Sequence, residues 1–420
     1  MRTLEDWLAW QQTLHPSAID LGLDRVRRVL ERLEWRRPSC PIITIGGTNG
    51  KGSCAAMTAA ILRACGLRVG VFTSPHLVRY QERITIDGRE AQESALVHAF
   101  ERIDAARGPD TLTFFEFNTL AALLLFDEAR LDALVLEVGM GGRLDAVNVV
   151  DADVALVTSV ALDHCEWLGG DIEAIGREKA GIFRARRPAI FGARDMPESI
   201  EQAASDVGAQ LLRLGRDFDY SRCGERWSWK GPSRAFDDLP RPPLLGAVQY
   251  DNAAAVLCAL HCLGAGLPLD RETIERGLAN VRLPGRFQTI HAHGVDWILD
   301  VAHNPAAALT LAAQLRERSA CGSTFAVCGM LADKDVEGAV APLIGLMDGW
   351  IAAGLPGERG VCAQRLAERL RSAGARVDAT AVDVRSACET ARRLAQPGDR
   401  IVVFGSFLTV GAALEALDAA

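Results

Sequence analysis

The stretch PIITIGGTNGKGS, residues 41–53, joins a short apolar run to a glycine-rich turn, and a helical pattern follows it. The common phosphate-binding loop, G-x-x-x-x-G-K-[ST], occupies the same place between a strand and a helix. Here Ile45 stands where that pattern has its first glycine, and Gly52 separates Lys51 from Ser53. The stretch therefore predicts a strand, a turn and a helix, and leaves open whether the turn binds phosphate.

The composition of the turn favours an anion site over a glycine turn without a ligand. It contains four glycines: Gly46, Gly47, Gly50 and Gly52. Backbone N–H groups can converge on an anion here because no Cβ blocks the approach, and the following helix adds its positive dipole end. Lys51 can reach terminal phosphates, while Thr48 or Ser53 can offer a hydroxyl to Mg²⁺. We therefore favour a nucleotide phosphate site.

Short apolar runs alternate with segments of helical spacing along much of the chain. Strand-like runs begin near residues 41, 68, 133, 154 and 188, and helical patterns cover 93–107 and 113–130. This alternation is typical of a parallel sheet flanked by helices. The predicted fold class is α/β, with an N-terminal P-loop-type, mostly parallel sheet domain and a smaller C-terminal Rossmann-like α/β domain.

Two segments interrupt the alternation and suggest the domain boundary. Residues 216–246 combine aromatic and polar residues with several prolines, which indicates a small antiparallel ribbon. The segment RLPGRFQ, residues 282–288, contains Pro284 and Gly285 and predicts a linker. A second alternating series follows it. We therefore expect domains at 1–284 and 288–420.

Composition excludes several classes of function. The formal net charge of the 420 residues is −8, which does not fit a nucleic-acid-binding protein. No apolar run is long enough to span a membrane, and the first residues do not resemble a signal peptide. The eleven cysteines form no C-x-x-C pair. We therefore expect a cytoplasmic protein with reduced cysteines and neither membrane nor nucleic-acid partners.

Several polar residues follow predicted strands in the first half of the chain. Glu137 ends the run ALVLE, and a carboxylate at that edge of a parallel sheet could bind Mg²⁺ near the phosphate turn. Asp145 follows in a glycine-rich loop, and Asp163 and His164 follow the run VALVTS. A single carboxylate or histidine in such a place is more often a cap or a structural residue. Each residue alone therefore leaves both interpretations open.

The second half offers a similar group. Asp300 and His303 lie in DVAHNP at a strand end, where they could contact the ribose and the base or phosphates of a nucleotide. Arg286 in the linker has the geometry that suits a γ-phosphate. Lys179 could belong to a solvated helix face, and Asn252 could be an ordinary polar residue near a helix N-terminus. No one of these residues decides the function.

Eight motifs together resemble the folylpolyglutamate synthase/dihydrofolate synthase family, a branch of the Mur ligase superfamily. In chain order they are GTNGKGS, TSPHLVRYQERI, FFEFNT, LEVGMGGRLDAVN, ALDHCEWLG, REKAGI, LPGRFQ and DVAHNP. They span residues 47–305 in the order of the family, and the lysine-glycine-serine sequence is the family's own form of the loop. Val301 replaces a glycine found in many relatives, and we expect no loss of function from it.

The resemblance implies roles for individual residues. The implied ATP-binding residues are Gly47, Thr48, Asn49, Gly50, Lys51, Gly52, Ser53, Asn252, Arg286, Asp300 and His303. The implied ligands of two Mg²⁺ ions are Ser74, Glu137 and His164. The implied substrate-binding residues are Arg83, Phe115 and Asp145. Lys179 is implied to carry a carbamate, and the implied catalytic residues are Lys51, Lys179, His164 and Arg286.

The activity implied by the resemblance is ATP-dependent formation of an amide bond. The enzyme would add L-glutamate to dihydropteroate and to reduced folates through an acyl phosphate, as a monomer. Three alternatives remain: a folylpolyglutamate synthase without the dihydropteroate reaction, a cell-wall Mur ligase and an inactive nucleotide-binding regulator. The motif around Asp145 favours the bifunctional type. The loop SPHLVRYQER argues against a cell-wall ligase, and the filled catalytic positions argue against a regulator.

Overall fold

The computed structural model describes residues 2–264, 266–318 and 322–418. By the contacts between residues, the chain divides into two compact units. The first unit comprises the chain up to Pro75, together with Gln81–Pro243 and Gln249–Arg282. The second comprises His76–Tyr80, Leu244–Val248 and the chain from Leu283 onward.

The first unit contains most of the secondary structure. Its strands are β1 (Ile42–Gly46), β2 (Val69–Phe72), β3 (Ile84–Ile86), β4 (Arg89–Glu90), β5 (Ala133–Glu137), β6 (Val154–Val157), β7 (Pro188–Phe191), β8 (Gln210–Arg213), β9 (Asp219–Cys223), β10 (Arg226–Lys230) and β11 (Ala235–Pro240). Its helices are α1 (Leu4–Leu14), α2 (Asp24–Arg32), α3 (Lys51–Ala64), α4 (Glu93–Arg107), α5 (Phe114–Ala129), α6 (Cys165–Leu168), α7 (Ile172–Ala180), α8 (Glu198–Val207), α9 (Val248–Cys262) and α10 (Arg271–Ala279). Short 3-10 helices cover Tyr80–Arg83 and Ala146–Val149.

The main sheet of the first unit has the strand order β4-β3-β2-β5-β1-β6-β7-β8. The strands from β2 to β8 in this order are parallel, and β3 and β4 are antiparallel additions at one edge. Every residue of β1 and β5 is buried, as expected for strands covered on both faces. Because β5, β1 and β6 are neighbours, the residues that follow them lie at one edge of the sheet.

A separate antiparallel ribbon of β9, β10 and β11 occupies the segment where the sequence predicts one. Trp227 and Trp229 of β10 are each only 1% exposed. The indole N–H of Trp229 donates to the carbonyl of Ala254 in α9 at 3.1 Å. Tyr220 of β9 stacks on Tyr250 of α9 with ring centroids 5.8 Å apart. The aromatic residues therefore fasten the ribbon to α9.

The second unit is a smaller sheet with helices. Its strands are β12 (Gln288–Ala292), β13 (Val295–Asp300), β14 (Thr324–Cys328), β15 (Gly349–Ala353), β16 (Val377–Ala381) and β17 (Arg400–Phe404). Its helices are α11 (Pro305–Glu317), α12 (Val336–Val340), α13 (Ala363–Ser372), α14 (Val384–Leu394) and α15 (Phe407–Asp418), with a 3-10 helix at Ala341–Leu346. The strand order is β12-β13-β17-β14-β15-β16, parallel except for β12.

The predicted fold class is confirmed, and the differences concern strands with weak apolar patterns. The antiparallel strands β3, β4 and β12 and the edge strands β8 and β16 were not predicted from the sequence. In β12 and β16 partly buried and exposed positions alternate, so neither forms the continuous apolar run that identifies an interior strand. Within the described ranges, no helix is long and apolar enough to cross a membrane.

Candidate active site

The glycine turn after β1 requires glycine at two positions. Gly47 has φ 137° and Gly50 has φ 90°, both in the region that side chains disfavour. A Cβ added to Gly47 would lie 1.9 Å from the hydroxyl oxygen of Thr158, and one added to Gly50 would lie 2.7 Å from the amide oxygen of Asn252. The turn therefore packs too closely on its neighbours to accept any side chain at these positions.

The residues after β6 hold the turn in place. The N–H of Thr48 donates to the carbonyl of Ser159 at 2.8 Å, and the hydroxyl of Thr158 donates to the carbonyl of Asn49 at 2.6 Å. The hydroxyl of Thr48 accepts the N–H of Ala161 at 3.0 Å. These bonds connect segments about 110 residues apart in sequence. The Thr48 hydroxyl thus serves the shape of the turn.

Lys51 begins α3 directly behind the turn. Its ammonium group donates to the carbonyls of Gly47 at 3.0 Å and Thr48 at 3.1 Å. Gly50 is the N-cap residue, and it has no side chain with which to neutralise the helix N-terminus. The positive end of the helix dipole and the ammonium group of Lys51 therefore both lie at the glycine turn. Two positive charges at one place favour a bound phosphate.

Asn252 of α9 packs directly against the glycine turn at Gly50. It is only 4% exposed on α9, and its amide nitrogen donates to the side-chain oxygen of Gln249 at 2.9 Å. That bond directs the amide oxygen of Asn252 toward Gly50. The structure thus brings the predicted ATP residue Asn252 to the predicted phosphate turn.

The predicted metal ligands Glu137 and Ser74 lie together. Glu137 ends β5 and is only 4% exposed, and its carboxylate accepts the N–H of Ser74 at 3.3 Å. Burial, reinforced by the charge of Glu137, raises the pKa of the neighbouring Cys54 thiol. The carboxylate therefore lies at the carboxyl edge of the sheet, beside the helix that carries Lys51.

The third predicted metal ligand, His164, has a strained backbone. Its φ of 52° and ψ of 37° place it in the left-handed region, at the start of the short helix α6. Its N–H donates to the carboxylate of Asp163 at 2.9 Å, and its ring Nε2 lies 3.9 Å from the same carboxylate. This arrangement sets the position of the imidazole relative to the end of β6.

In the part of the chain that the structure describes, no three His, Cys, Asp or Glu side chains converge to hold a metal ion. The predicted ligands Glu137 and Ser74 offer oxygen donors, and Mg²⁺ bound with a nucleotide takes one or two protein ligands and completes its shell with waters and phosphate oxygens. The pair Glu137 and Ser74 therefore suits a phosphate-bound magnesium ion.

Lys179, at the end of α7, is a buried lysine with an unusual pKa. Its side chain is among the buried groups of the first unit, at 3% exposure. Burial, together with the charge of Lys51, lowers the pKa of Lys179 from 10.5 to about 7, against the opposing charges of Asp163 and Asp145. Much of the amine is therefore uncharged at neutral pH, and the neutral amine is the form that reacts with CO₂.

A loop of residues 139–149 packs against the end of α7. The N–H of Arg143 donates to the carbonyl of Glu178 at 2.8 Å, and the two side chains form an ion pair at 2.8 Å. A Cβ on Gly142 would lie 2.7 Å from that same carbonyl. The loop can therefore dock beside Lys179 only with glycine at position 142.

Asp145 shapes this loop from within. It is 2% exposed, and its two oxygens accept the N–H groups of Met140 at 2.9 Å and Val147 at 3.0 Å. Burial raises the pKa of Asp145 to about 7, although these backbone donors favour the charged form. The carboxylate thus organises the backbone of the loop, a role that the sequence does not reveal.

The other two predicted substrate residues lie around the first turn of α5. A Cβ on Gly139 would lie 2.6 Å from the ring of Phe115, whose centroid is 5.7 Å from that of Phe72. The guanidinium of Arg83 lies 5.4 Å from the ring of Phe114. The loop of Asp145 and the side chains of Phe115 and Arg83 therefore meet at the N-terminus of α5.

Replacing Asp145 should affect stability in a pH-dependent way. A carboxylate whose pKa is raised on folding, here from 3.8 to about 7, contributes stability below pH 4 that is lost as the pH rises through 7. We therefore expect Asp145→Ala to lower the free energy of unfolding by about 2–3 kcal/mol at pH 5, through the two lost hydrogen bonds, and by less at pH 8. Urea unfolding at both pH values measures the difference.

The exposed Asp151 provides the control for that experiment, since its ion pair with Arg184 lies largely in solvent. We expect Asp151→Ala to change the unfolding free energy by less than about 1 kcal/mol at either pH. A pH-independent loss in Asp145→Ala would contradict the assigned pKa.

In the second unit, Asp300 fixes the linker to the end of β13. Its carboxylate accepts the N–H of Phe287 and the N–H of Ala302, both at 2.8 Å. Burial raises the pKa of Asp300, and the charge of Arg286 opposes this rise. Asp300 thus sits at the carboxyl edge of β13, as predicted.

His303 and Arg286 both lie close to the ring of Phe407 in the same unit. The guanidinium of Arg286 is 5.2 Å from the ring of Phe407, and the centroids of His303 and Phe407 are 6.3 Å apart. The Nδ1 atom of His303 lies 2.8 Å from the carbonyl of Val301 and is therefore its protonated nitrogen. The structure brings the three predicted nucleotide residues of this unit together.

The sequence interpretation missed some residues of the two units. The hydroxyls of Thr158 and Ser159 support the glycine turn, and their place at the end of a predicted strand was the available signal.

Only four of the 46 basic residues are lysines: Lys51, Lys179, Lys230 and Lys334. Lys334 is 8% exposed, after the carboxyl end of β14, with its ammonium 3.5 Å from Asp333. The rarity of lysine marks it as a candidate anion-binding residue.

Two family models match the chain. The Mur ligase middle domain matches residues 45–224, which include the glycine turn, Glu137 and Lys179. The Mur ligase glutamate ligase domain matches residues 285–407, which include Arg286 and His303. The two matches therefore contain most of the residues described above.

Similar proteins cover the whole chain. The dihydrofolate synthase/folylpolyglutamate synthase of Escherichia coli (strain K12) is 45% identical over 416 residues, 99% of this chain and 96% of that protein. That of Haemophilus influenzae is 39% identical, over 97% of this chain and 96% of its own length.

Solved structures agree with these relatives. The structure of E. coli FolC in complex with DHPP and ADP has a TM-score of 0.94 at 44% identity, and covers 100% of this chain and 98% of that one. A bifunctional folylpolyglutamate synthase/dihydrofolate synthase with Mn, AMPPNP and L-glutamate bound has a TM-score of 0.91 at 46% identity, with 100% and 98% covered. The chain therefore belongs to the dihydrofolate synthase/folylpolyglutamate synthase family of the Mur ligases, as its motifs predict.

Proposed function

We propose that this protein is an ATP-dependent ligase that adds L-glutamate to dihydropteroate, forming dihydrofolate, and to reduced folates. The observation that carries the proposal is the joint placement of the Lys51 turn, the buried Lys179 and the Asp145 loop in one unit. Its relatives of full length, named dihydrofolate synthase/folylpolyglutamate synthase, support the same activity.

Each domain has a proposed part in this activity. Residues 1–284 would bind ATP and the pterin, and residues 288–420 would serve as the glutamate-ligase domain. The matches to a Mur ligase middle domain and to a glutamate ligase domain support this division. The protein is proposed to act as a cytoplasmic monomer.

In the first domain, the glycine turn and Asn252 are proposed to contact ATP. In the second domain, the proposed ATP contacts are Arg286, Asp300 and His303. Related structures hold ADP or AMPPNP, and one also holds Mn. In this chain Ser74 and Glu137 would hold one Mg²⁺, and His164 a second. Bound there, the ions would neutralise charge on the phosphate oxygens.

The proposed reaction proceeds in two steps. An oxygen of the substrate carboxylate attacks the γ-phosphorus of ATP, giving an acyl phosphate and ADP. The amine of glutamate then attacks the acyl carbon, loses a proton and displaces phosphate. Lys51 and Arg286 would stabilise the negative charge that develops on the transferred phosphoryl group. No side chain needs to form a covalent bond with substrate in this scheme.

Lys179 has a separate proposed role as a carbamate. Its uncharged amine would add CO₂ to give an N-carboxylate and release one proton. The modification would replace a buried amine near Lys51 with an anion that pairs with the Lys51 ammonium group. The pKa of about 7 supports the proposal, because it leaves the amine reactive at neutral pH.

The alternatives make different predictions about substrates. A folylpolyglutamate synthase without the first activity would use tetrahydrofolate only, a cell-wall ligase would use a UDP-muramoyl acceptor, and an inactive regulator would use none. Phosphate release with ATP, glutamate and each acceptor in turn distinguishes them. We expect release with dihydropteroate and with tetrahydrofolate, and inactivity with both pterin substrates would overturn the proposal.

The Asp145→Ala variant adds a test of the pterin site. Since Asp145 holds the loop beside Phe115, we expect the variant to reduce kcat/KM for dihydropteroate more than for tetrahydrofolate, by about tenfold or more. Equal losses would show that this carboxylate does not distinguish the two substrates.

A further inference from the structure

The N-terminal helices α1 and α2 lie before the matched Mur ligase domains, which begin at residue 45, and hold no residue assigned to the reaction. Both helices nevertheless pack against α4 and α5 of the first unit. One ion pair in this region joins Arg25 of α2 to the buried Glu116 of α5. It is the feature that connects these helices to the proposed substrate site.

Glu116 is a buried carboxylate with two tasks. It is 3% exposed, and its Oε2 accepts the N–H of Thr113 at 2.8 Å, while the Thr113 hydroxyl accepts the N–H of Glu116. This reciprocal pair is the capping box that begins α5. The same carboxylate accepts the Nε–H of Arg25 at 3.1 Å, and Nη2 of Arg25 lies 3.0 Å from it in an ion pair. The cap of α5 and its ion pair therefore depend on one side chain.

Arg25 is fixed on its other side as well. Its Nη1 and Nη2 groups donate to the carboxylate and the carbonyl of Asp20, each at 2.6 Å. The Nε2 atom of His15 lies 3.1 Å from the Asp20 carboxylate, and its Nδ1 lies 2.8 Å from the hydroxyl of Thr111. We call five residues the Arg25 network: His15, Asp20, Arg25, Thr111 and Glu116. It links the segment between α1 and α2 to the start of α5.

The two residues before Glu116 face the proposed pterin site. Phe115 contacts Gly139 in the loop that Asp145 organises, and Phe114 lies under the guanidinium of Arg83. Neighbouring residues of a helix are fixed relative to one another by a rise of about 1.5 Å and a turn of about 100°. A shift of Glu116 would therefore move Phe115 relative to the loop.

We infer that Arg25 is a positioning residue for the pterin substrate, acting through Glu116 on the first turn of α5. The inference rests on the proposed function, since it assigns the pterin to the surface around Phe115. Arginine suits this task because its planar fork can donate to two carboxylates at fixed angles. Without Arg25, the buried carboxylate of Glu116 would lose its charged partner, which weakens the helix cap.

The test compares Arg25→Met with Arg28→Met. Arg28 lies on the same helix and donates to the carboxylate of Asp110 at 2.6 Å, so it joins α2 to the residues before α5 without touching the cap. We expect Arg25→Met to raise the KM for dihydropteroate tenfold to about a hundredfold, and the KM for ATP less than about twofold. Arg28→Met should leave both KM values unchanged, even if it lowers the Tm.

Steady-state kinetics well below the Tm of each variant give the result. An unchanged KM for dihydropteroate in Arg25→Met, equal increases for dihydropteroate and ATP, or the same profile in Arg28→Met would each overturn the inference. A wild-type protein inactive with dihydropteroate would overturn the proposed function and the inference together. If Arg25→Met does not fold, Arg25→Lys keeps the charge without the fork. It should raise the same KM by a smaller factor, and a normal KM would overturn the inference.

Discussion

Replacing Lys179 with methionine should abolish glutamate ligation without destabilising the protein. The substitution removes a buried amine that is 3% exposed and whose pKa burial lowers to about 7. Methionine fills a similar volume without a charge to bury, so we expect a Tm equal to or above that of the wild type. Since the proposed carbamate could not form in this variant, we expect kcat to fall by about a thousandfold.

Lys230 supplies the matched control. It lies at the exposed end of β10, away from the groups that surround Lys179, and Lys230→Met should keep wild-type kcat and KM. The scarcity of lysine also makes the modification directly observable. After loading with ¹³C-bicarbonate, we expect one carbamate carbon resonance in the wild type and in Lys230→Met, and none in Lys179→Met. A resonance that persists in Lys179→Met, or full activity there, would refute the role of this lysine.

The pH dependence of Lys179 has a definite sign. A lysine whose pKa is depressed on folding, here from 10.5 to about 7, contributes stability at high pH that is lost as the pH falls through 7. The uncharged fraction falls from about 90% at pH 8 to about 10% at pH 6. We therefore expect the ¹³C carbamate signal to decrease over this interval, and Lys179→Met to gain stability relative to the wild type at pH 6.

Replacing Gly47 with alanine should prevent nucleotide binding. The new Cβ would lie 1.9 Å from the Thr158 hydroxyl, at a residue with φ 137°. That hydroxyl also holds the carbonyl of Asn49, so relief of the collision would displace the rest of the turn. We expect the Kd for ATP, measured by calorimetry, to increase by about a hundredfold or more, because the backbone amides no longer converge on the phosphates.

Gly66 follows the C-terminal end of α3 and provides the control. A substitution there strains the backbone without causing a steric collision. It has φ 88°, and an added Cβ would meet nothing within 4 Å. Gly66→Ala should therefore lower stability by about 1 kcal/mol and leave the Kd for ATP unchanged. Similar Kd values in the two variants would show that general strain, and not the fit of the turn against Thr158, controls nucleotide binding.

Much of the fold and most of the candidate site could be predicted from sequence because their signals are local. The glycine turn needs particular residue types within a few positions. The strands β1, β5 and β6 are short apolar runs that lead into the glycine turn, Glu137 and Thr158. Residues that follow neighbouring parallel strands must lie at one sheet edge. The strands β12 and β16, with alternating burial, have no such signal and were missed.

The family was determined by the sequence alone, since eight motifs in a fixed order leave little room for chance. The sequence did not reveal the hydrogen-bond partners of Asp145 or the burial of Lys179. Asp145 was predicted to bind the substrate, which stays a prediction, and the structure adds that its oxygens accept the N–H groups of Met140 and Val147. Lys179 could equally have lain on a solvated helix face. Its burial beside Lys51 became visible only in three dimensions.

The ion pair of Arg25 and Glu116 illustrates what only the tertiary structure decided. The two residues are 91 positions apart in a chain with 46 basic and 54 acidic residues, so no sequence pattern selects this pairing. Motifs record which chemical groups are present and in what local order. The pKa of a group and the partner of a charge depend on burial and on neighbours from distant segments, because desolvation and Coulomb energies are set by distances that only folding defines.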